Sequence, residues 1–389
     1  MADRKLATVR KIATVSDIPG KDRIALATVD GWSVIIQKAD FKPGDLCVFM
    51  EPDSVLPDAP WCSFLKDHRI RTMKMAGCLS QGIAFPLSIM ENYGDLIVGI
   101  GAPDDNSIVG FYNGKKAVYF EVGLDLTDVI GVKKWERPDA EDVGDIKPVR
   151  SYKKYPKFLM RFKWFRDTFV YRNHGLASAR AFPEFLTKTD EIRIQNCPWV
   201  LDKDDTWVLT EKVDGSSGSF CIRKEKHGFF RREKLEFYVC SRNRRLFNDD
   251  GSSYWKVANR YNLKSVLTSI LKEQDLEWVA IQGEVIGPKV QGNKYKLTEP
   301  DLYVFNFITS KQGRWASADG KRLMESYGIN WVPIVGVGML PETVEGMLSI
   351  AHGQSQICDI LREGLVCRSL DGKQSFKAVD PEFLIHWGE

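Results

Sequence analysis

The first 86 residues alternate short apolar runs with turn-forming residues. Runs rich in β-branched and aromatic side chains occupy residues 7–12, 24–29, 33–37, 46–49 and 82–86. Pro, Gly and Asp interrupt them, as at residues 18–20 and 42–45. Several short strands at this spacing are typical of a small closed β-barrel. We therefore predict a five-stranded, OB-like barrel at the amino terminus.

The second half mixes strand-like and helix-like patterns. Apolar runs typical of strands lie at residues 206–211, 218–223, 236–240, 278–283 and 302–308. Residues 263–274 carry apolar side chains at positions 263, 266, 267, 270 and 271, which predicts an amphipathic helix. Weaker helical patterns cover residues 320–327 and 344–351. This mixture favours an α+β domain built on antiparallel sheets.

A change in composition separates the two halves. Between residues 139 and 156, charge, Pro and Gly rise and periodicity disappears, as is typical of a linker. We therefore expect an OB-like nucleic-acid-binding module at residues 1–138, a linker at 139–156 and a second domain at 157–389. Strand-like pieces at residues 92–100 and 110–122 extend the first module without an assigned role. A chain of 389 residues is long enough for two hydrophobic cores.

The composition is that of a folded chain, with 43% hydrophobic and 28% charged residues. A net charge of +3 does not by itself demand a nucleic-acid partner. The 8 cysteines and 5 histidines lack the spacing of a zinc site, and the sequence contains no long apolar run. We therefore expect a soluble intracellular protein with reduced thiols and no tightly held transition metal.

Residues 150–172 interleave basic and aromatic side chains. Cations beside aromatic rings suit single strands and duplex ends, because they can hold phosphates and stack on bases. A solvated linker with a few aromatic anchors explains the same stretch equally well. This segment alone does not decide between the two interpretations.

The sharpest local feature is Lys212-Val213-Asp214-Gly215, which follows a predicted strand. Positions 212 and 214 of an extended chain project to the same face, so an amine and a carboxylate enter one pocket. The four-residue pattern is weak by itself, because roughly 0.1 occurrences are expected by chance in a chain of this length. A surface strand that ends in a turn is the ordinary alternative.

Four further motifs follow it along the chain. They are Gly283-Glu284, the aromatic strand around Phe305, Glu363-Gly364-Leu365-Val366 and Phe376-Lys377. In this order the motifs resemble those of the covalent nucleotidyltransferases, namely DNA ligases, RNA ligases and mRNA capping enzymes. The probabilities of independent chance matches multiply, so a chance origin of the whole ordered set is improbable. The set therefore favours a catalytic site. Each residue alone would be a surface side chain or a core aromatic.

The resemblance implies that Lys212 attacks the α-phosphorus of ATP. The attacking amine must first lose a proton, starting from a pKa of about 10.4. Neighbouring carboxylates raise the pKa of a lysine. A Mg²⁺ or Mn²⁺ ion reverses that effect when it is held nearby through its waters. The expected metal-binding residues are Asp214, Glu284 and Glu363.

The resemblance also implies contacts to the nucleotide. Lys377 is expected to hold the α-phosphate and Phe305 to stack on adenine, with Phe307 on the same strand face. Many RNA ligases carry a second lysine two positions before the one that corresponds to Lys377, where this chain has Ser375. Lys373 could take the place of that second lysine only if the backbone followed a different path. The other expected contacts to ATP or the ends being joined are Glu211, Arg242, Lys373, Arg193 and Lys188.

Two segments resemble one particular group among the covalent nucleotidyltransferases. Residues 182–196 and 375–384 resemble the RNA ligases of the Deinococcus and Naegleria type, which carry an amino-terminal OB module. The second domain is then an antiparallel-sheet nucleotidyltransferase domain of the ATP-grasp-like ligase type. The resemblance implies a monomeric, ATP-dependent RNA ligase that joins 3′-hydroxyl and 5′-phosphate ends of RNA. It implies lysyl-AMP and adenylylated 5′-end intermediates, and nicks in duplexes with an RNA 3′-hydroxyl strand as substrates.

Three other functions remain to be weighed. A capping guanylyltransferase uses the same lysine chemistry with GTP, but its OB domain follows the catalytic domain. An NAD-dependent DNA ligase is expected to show nicotinamide-binding and zinc modules. A non-catalytic RNA-binding relic is expected to have lost the nucleophile or a carboxylate, and this sequence retains both.

Overall fold

A computed structural model describes residues 4–99, 108–135, 182–202, 205–227, 232–246, 249 and 251–388. The basic aromatic segment at residues 150–172 and the expected linker at 139–156 lie outside these described residues. None of the helices in the described part of the chain is long and apolar enough to span a membrane.

The amino-terminal region is built from short strands. The first nine are β1 (Ala7–Lys11), β2 (Thr14–Asp17), β3 (Ile24–Val29), β4 (Trp32–Gln37), β5 (Leu46–Met50), β6 (Ser54–Val55), β7 (Met73–Met75), β8 (Cys78–Ser80) and β9 (Ile83–Pro86). One antiparallel sheet has the order β1-β5-β9 and another the order β2-β3-β4. The five predicted strands are confirmed as β1, β3, β4, β5 and β9. The sequence did not predict β2, because none of its residues is buried.

The sheet that contains β5 is covered on both faces. Because side chains alternate along a strand, Cys47 and Phe49 enter one apolar cluster, whereas Val48 and Met50 enter another. The second cluster includes side chains from the segment that follows the barrel. The elements of this segment are β10 (Asp95–Val98), β11 (Ile108–Tyr112), β12 (Ala117–Tyr119), α1 (Thr127–Ile130) and β13 (Lys133–Lys134). The segment after the barrel therefore covers a face of this sheet that would otherwise be exposed.

The carboxy-terminal region contains two larger sheets. Its strands are β14 (Ile192–Arg193), β15 (Trp207–Glu211), β16 (Ser216–His227), β17 (Arg232–Cys240), β18 (Arg245–Leu246), β19 (Trp278–Ile286), β20 (Asp301–Thr309), β21 (Gly313–Arg314), β22 (Ile334–Gly338), β23 (Gly364–Ser369) and β24 (Ser375–Val379). One sheet has the order β14-β24-β23-β15-β22 and the other the order β18-β17-β16-β19-β20-β21. All pairings are antiparallel except that of β14 with β24, so the predicted α+β class with antiparallel sheets is confirmed.

Five helices pack against these sheets in the described part of the region. They are α2 (Ser253–Arg260), α3 (Leu263–Glu273), α4 (Ser317–Ser326), α5 (Val344–Ala351) and α6 (Pro381–Trp387). Leu267 and Ile270 of α3 lie in the core of the six-stranded sheet, whereas Met347 of α5 lies in that of the five-stranded sheet. The sequence predicted α3, α4 and α5 but not α2 or α6. Asp380 caps α6 and Pro381 begins it, a recognisable helix start.

Polar side chains join the two regions. Arg10 donates a hydrogen bond to Asn196 (2.8 Å), and Arg193 donates one to Asp53 (3.1 Å). Lys134 forms an ion pair with Asp190 of the carboxy-terminal region. The barrel is therefore in contact with the segment that leads into the larger sheets.

Candidate active site

Lys212 directly follows β15, at the point where that strand meets β23. Glu211 pairs with Leu365, and the backbone N–H of Lys212 donates to the carbonyl oxygen of Gly364 (2.9 Å). This register places Glu363 beside the amine of Lys212, and the two groups form an ion pair of 2.6 Å. Residues 151 positions apart are thus brought into contact by one strand pairing.

Glu284 reaches the same place from the other sheet. It lies on β19 opposite Ser217 of β16, the strand that starts two residues after Asp214. Gly215 allows this close approach, because a β-carbon there would lie 2.4 Å from the carbonyl oxygen of Val285. The glycine of the lysine motif is therefore required for packing.

The charges around Lys212 set its protonation state. Burial disfavours the charged amine, but Glu363, Glu284 and Asp214 outweigh this effect and raise the pKa of Lys212. Burial, with repulsion from Glu363 and Asp214, raises the pKa of Glu284 to about 8, although Lys212 opposes the change. The amine is therefore protonated at neutral pH until a further cation offsets the carboxylates.

The three expected metal-binding carboxylates do not form a closed cage. In the described part of the chain, no three His, Cys, Asp or Glu side chains are grouped so as to hold a metal ion together. Glu284 and Glu363 nevertheless flank Lys212, and their mutual repulsion would be relieved by a cation. This arrangement fits an ion held through its water molecules better than one bound directly.

Asp214 has a cationic neighbour that the sequence did not predict. Its carboxylate forms a buried ion pair with Lys294, and its backbone N–H donates to the hydroxyl oxygen of Tyr295 (3.0 Å). The ammonium group of Lys294 also lies over the rings of Phe383 and Trp387 in α6. The last helix therefore closes over the residues that follow the nucleophile.

Lys377 lies on β24, next to β23 on one side and β14 on the other. Burial disfavours its charge and lowers the pKa of Lys377 to about 8, although Asp190 opposes the shift. Its amine donates to Asp190 at 3.2 Å. Lys377 lines the same cavity as Lys212, Glu284 and Glu363.

Phe305 enters this cavity because β20 contains a bulge. The register shifts so that Asn306 pairs with Gln282 and Val304 with Gly283, which leaves Phe305 between the two pairs. A bulge interrupts the alternation of side chains along a strand. The prediction that Phe307 shares a face with Phe305 is therefore wrong: Phe307 is fully buried in the core against Trp315, with ring centroids 4.9 Å apart.

The cavity lies between the two sheets and has a volume of about 460 Å³. It contains lysines for phosphate chemistry, an aromatic ring, and carboxylates beside a candidate nucleophile. The predicted site residues that line it are Arg193, Glu211, Lys212, Arg242, Glu284, Phe305, Glu363 and Lys377. Asp214 does not line it, although its chain neighbours Val213 and Gly215 do.

Comparisons with known proteins agree with this geometry. Residues 6–87 match the model of an OB-fold domain, and residues 205–379 match the model of the RNA ligase family. The chain pairs an OB-fold domain with an RNA ligase domain. No curated protein matches it.

Solved structures of the Naegleria gruberi RNA ligase resemble the whole chain. A mutant with AMP and Mn is 28% identical, covers 98% of each chain and has a TM-score of 0.73. Another mutant with ATP and Mn is 27% identical, again with 98% coverage of each chain, at a TM-score of 0.71. The enzyme with PPi is 28% identical, covers 98% of each chain and has a TM-score of 0.71. These matches confirm the predicted family resemblance and the order of the two domains.

Glu211 lines the cavity, and its carboxylate also has partners within the protein. Its carboxylate is buried and accepts hydrogen bonds from the hydroxyl of Ser355 (2.5 Å) and the backbone N–H of Gln356 (2.8 Å). Burial raises the pKa of Glu211 against the effect of these two bonds. These bonds connect the end of β15 to the loop before β23.

Arg368 is a cavity residue that sequence reasoning missed. Its buried guanidinium donates to the carbonyl oxygen of Phe305 (2.5 Å) and to Glu191 (3.4 Å). Ser375 donates to the same Glu191 carboxylate at 2.6 Å. The alternation of Val366 and Arg368 along β23 could have revealed this residue, because both line the cavity. Ser375 therefore supports the wall of the site at the position where many RNA ligases carry a lysine.

The other basic residues predicted to contact ATP or the ends lie at different distances from the cavity. Arg193 lines the cavity but pairs with Asp53 of the OB-fold domain, and the amine of Lys188 donates to Asn243 (3.2 Å) at the surface. Arg242 lies 3.5 Å from Asp190. Lys373 is not brought to the cavity: its side chain is 83% exposed and pairs with Asp371 in a turn. Lys373 therefore lies in the wrong place to supply the second lysine.

Proposed function

We propose that this protein is an ATP-dependent RNA ligase that joins 3′-hydroxyl and 5′-phosphate ends through AMP bound to Lys212. The observation that carries the proposal is the contact between Lys212 and Glu363 in a cavity that also holds Glu284, Lys377 and Phe305. The match to the RNA ligase family and the Naegleria gruberi structures with ATP, AMP and Mn support it.

In the first step the amine of Lys212 attacks the α-phosphorus of ATP. A P–N bond forms, the bond to the β-phosphate oxygen breaks, and pyrophosphate leaves. Lys377 stabilises the charge that develops on the α-phosphate, and Phe305 offers its ring to adenine. Glu284 and Glu363 would hold a hydrated Mg²⁺ or Mn²⁺ ion with Asp214, and that ion would favour the neutral amine.

In the later steps AMP passes from Lys212 to a 5′-phosphate, and a 3′-hydroxyl then displaces it to form a phosphodiester. The substrate we propose is a nick in a duplex whose 3′-hydroxyl strand is RNA. The OB-fold domain, in contact with the catalytic domain through Arg10 and Asn196, would bind that duplex, and the protein would act as a monomer.

Substrate and nucleotide can be tested together. Purified protein would be incubated with magnesium and either α-labelled ATP or α-labelled GTP. Labelled protein would then be chased with nicks that carry an RNA or a DNA 3′-hydroxyl strand. Label from ATP that moves into sealed RNA-ended product supports the proposal. Label from GTP alone would indicate a guanylyltransferase, and no covalent label with either nucleotide would indicate a non-catalytic RNA-binding protein.

A further inference from the structure

One buried side chain connects the two sheets between which the cavity lies. Arg368 lies on β23 of the five-stranded sheet and is 4% exposed. Its guanidinium donates to the carbonyl oxygen of Phe305 on β20 of the six-stranded sheet (2.5 Å). Both residues line the cavity. The bond therefore ties the strand that carries the aromatic ring to the opposite wall.

The bulge in β20 explains why this carbonyl group takes a donor from another sheet. Val304 pairs with Gly283 and Asn306 with Gln282, so Phe305 has no opposite residue on β19. An unpaired backbone carbonyl costs free energy where water does not reach it. Arg368 supplies a donor to the carbonyl of Phe305. The bulge that brings the ring into the cavity is therefore stabilised by a side chain of the other sheet.

Glu191 fixes the orientation of Arg368. Its carboxylate accepts hydrogen bonds from Arg368 (3.4 Å) and from Ser375 on β24 (2.6 Å), and it lies 3.9 Å from Arg314 on β21. The strand β24 belongs to the five-stranded sheet and β21 to the six-stranded sheet. The donors of a planar guanidinium point in fixed directions, so a second partner restricts its rotation. Arg368 is thus held toward Phe305.

The position of the Phe305 ring matters for the whole nucleotide. In the proposed reaction the ring stacks on adenine, while Lys212 attacks the α-phosphorus at the other end of the same molecule. Stacking requires a narrow range of distances between ring and base, and the attack requires an in-line approach to phosphorus. A displaced ring would therefore weaken binding and also move the phosphorus away from the amine.

We propose that Arg368 is a positioning residue for lysyl-AMP formation, which acts through Phe305 and not through contact with a phosphate. The proposal rests on the ligase function above. An arginine in a nucleotide site is ordinarily assigned to a phosphate. The guanidinium of Arg368 instead donates to protein oxygen atoms of Phe305 and Glu191. It fixes the ring at the base end of the cavity, and the ring fixes adenine.

The test uses Arg368→Met in the full-length protein, with Arg314→Met as the matched control. Both arginines lie beside Glu191, but Arg314 does not line the cavity. Arg368→Lys is the conservative variant. It keeps the charge but offers a single nitrogen, which cannot reproduce the two-sided grip of the guanidinium. Thermal unfolding of each variant shows whether the protein remains folded.

Different ligands report on the base end and the phosphate end of the cavity. Calorimetric titration would measure the binding of ATP, adenosine and inorganic pyrophosphate to each variant. The rate of lysyl-AMP formation as a function of ATP concentration separates kcat from KM. The same measurements on Phe305→Leu, and on the double variant with Arg368→Met, complete a double-mutant cycle.

We expect Arg368→Met to weaken the binding of ATP and adenosine about tenfold and to leave pyrophosphate binding within about twofold of the unmodified protein. The kcat for lysyl-AMP formation should fall about tenfold, because the phosphorus is misplaced. In the double variant the affinity for ATP should match that of Phe305→Leu alone, since Arg368 acts through that ring. Arg314→Met should change each value by less than about twofold.

The conservative variant tests the same prediction if Arg368→Met does not fold. Arg368→Lys should weaken the binding of ATP and adenosine about threefold, again without an effect on pyrophosphate. This smaller loss should likewise disappear in the background of Phe305→Leu.

Three outcomes would overturn the inference. Pyrophosphate binding could weaken as much as adenosine binding, which would indicate a direct contact of Arg368 with phosphate. The losses of ATP affinity could be additive in the double variant, at about a hundredfold. Finally, Arg368→Met could behave like Arg314→Met. If the unmodified protein bound adenosine but formed no lysyl-AMP, the ligase function itself would fail, whereas the binding measurements would still decide the role of Arg368.

Discussion

Lys212 and Glu363 are in direct contact, with 2.6 Å between the amine nitrogen and a carboxylate oxygen. The contact orients the amine but also stabilises its protonated form, which cannot attack phosphorus. The site therefore holds its candidate nucleophile in an inactive protonation state. A cation near Glu284 and Glu363 would release it.

The first prediction concerns the pKa of Lys212. Its pKa is raised above the ordinary value, so Glu363→Gln should lower it by removing the negative charge in contact with the amine. The rate of modification of Lys212 by an amine-selective reagent, followed by mass spectrometry from pH 7 to 11, measures this shift. Magnesium should also lower the pKa of Lys212 in the unmodified protein. Glu345→Gln, in α5, is the control, and an unchanged titration of Lys212 in Glu363→Gln would contradict the account.

The second prediction follows from the lowered pKa of Lys377. The amine is charged below pH 8 and neutral above it, because its pKa is about 8. AMP affinity should therefore fall as the pH rises through about 8, since the neutral amine attracts the phosphate less. Calorimetric titration of AMP between pH 6.5 and 9.5 tests this. Lys377→Arg keeps its charge over the whole range, so its affinity should depend less on pH. Equal pH dependence in both proteins would rule out Lys377 as the titrating group.

The third prediction separates the two phenylalanines of β20. Phe305→Leu should weaken ATP binding by about tenfold, because stacking on a base contributes about 1–3 kcal/mol. Phe307→Leu should mainly lower the melting temperature, since Phe307 lies fully buried in the core. Both variants would be studied by ATP titration and thermal unfolding. A larger loss of affinity in Phe307→Leu would mean that the base stacks elsewhere.

The fourth prediction concerns the buried pair of Lys294 and Asp214, whose side chains are 6% and 8% exposed. Replacing Lys294 by Met should reduce the free energy of unfolding by about 3 kcal/mol, because it removes a buried cation beside a carboxylate. Lys296→Met, on the exposed side of the same segment, should have little effect. Chemical denaturation measures both. Additive effects of Lys294→Met and Asp214→Asn in the double variant would show that the two side chains are not coupled.

The sequence predicted those parts of the fold and site that depend on local pattern. Strands such as β3 and β4 were predictable because their residues alternate in burial, and Lys212 because the motif order places it. Phe307 was misplaced because a bulge depends on pairing with β19, which alternation along one strand does not reveal.

Other residues were missed because distant segments bring them to the site. Lys294 meets Asp214 from 80 residues away, and Lys134 meets Asp190 from 56 residues away. Neither lysine belongs to one of the nucleotidyltransferase motifs. Such pairs depend on the packing of one sheet or domain against another, which a single sequence does not encode locally.

In the proposed reaction Lys212 becomes covalently bound to AMP and passes it to an RNA end. The most direct measurement incubates the unmodified protein and Lys212→Ala with α-labelled ATP and magnesium, and then adds a nick with an RNA 3′-hydroxyl strand. We expect an acid-labile label on the unmodified protein, transfer of that label to the nick, and no label on Lys212→Ala. Label retained by Lys212→Ala, or no label on the unmodified protein, would contradict the proposed reaction.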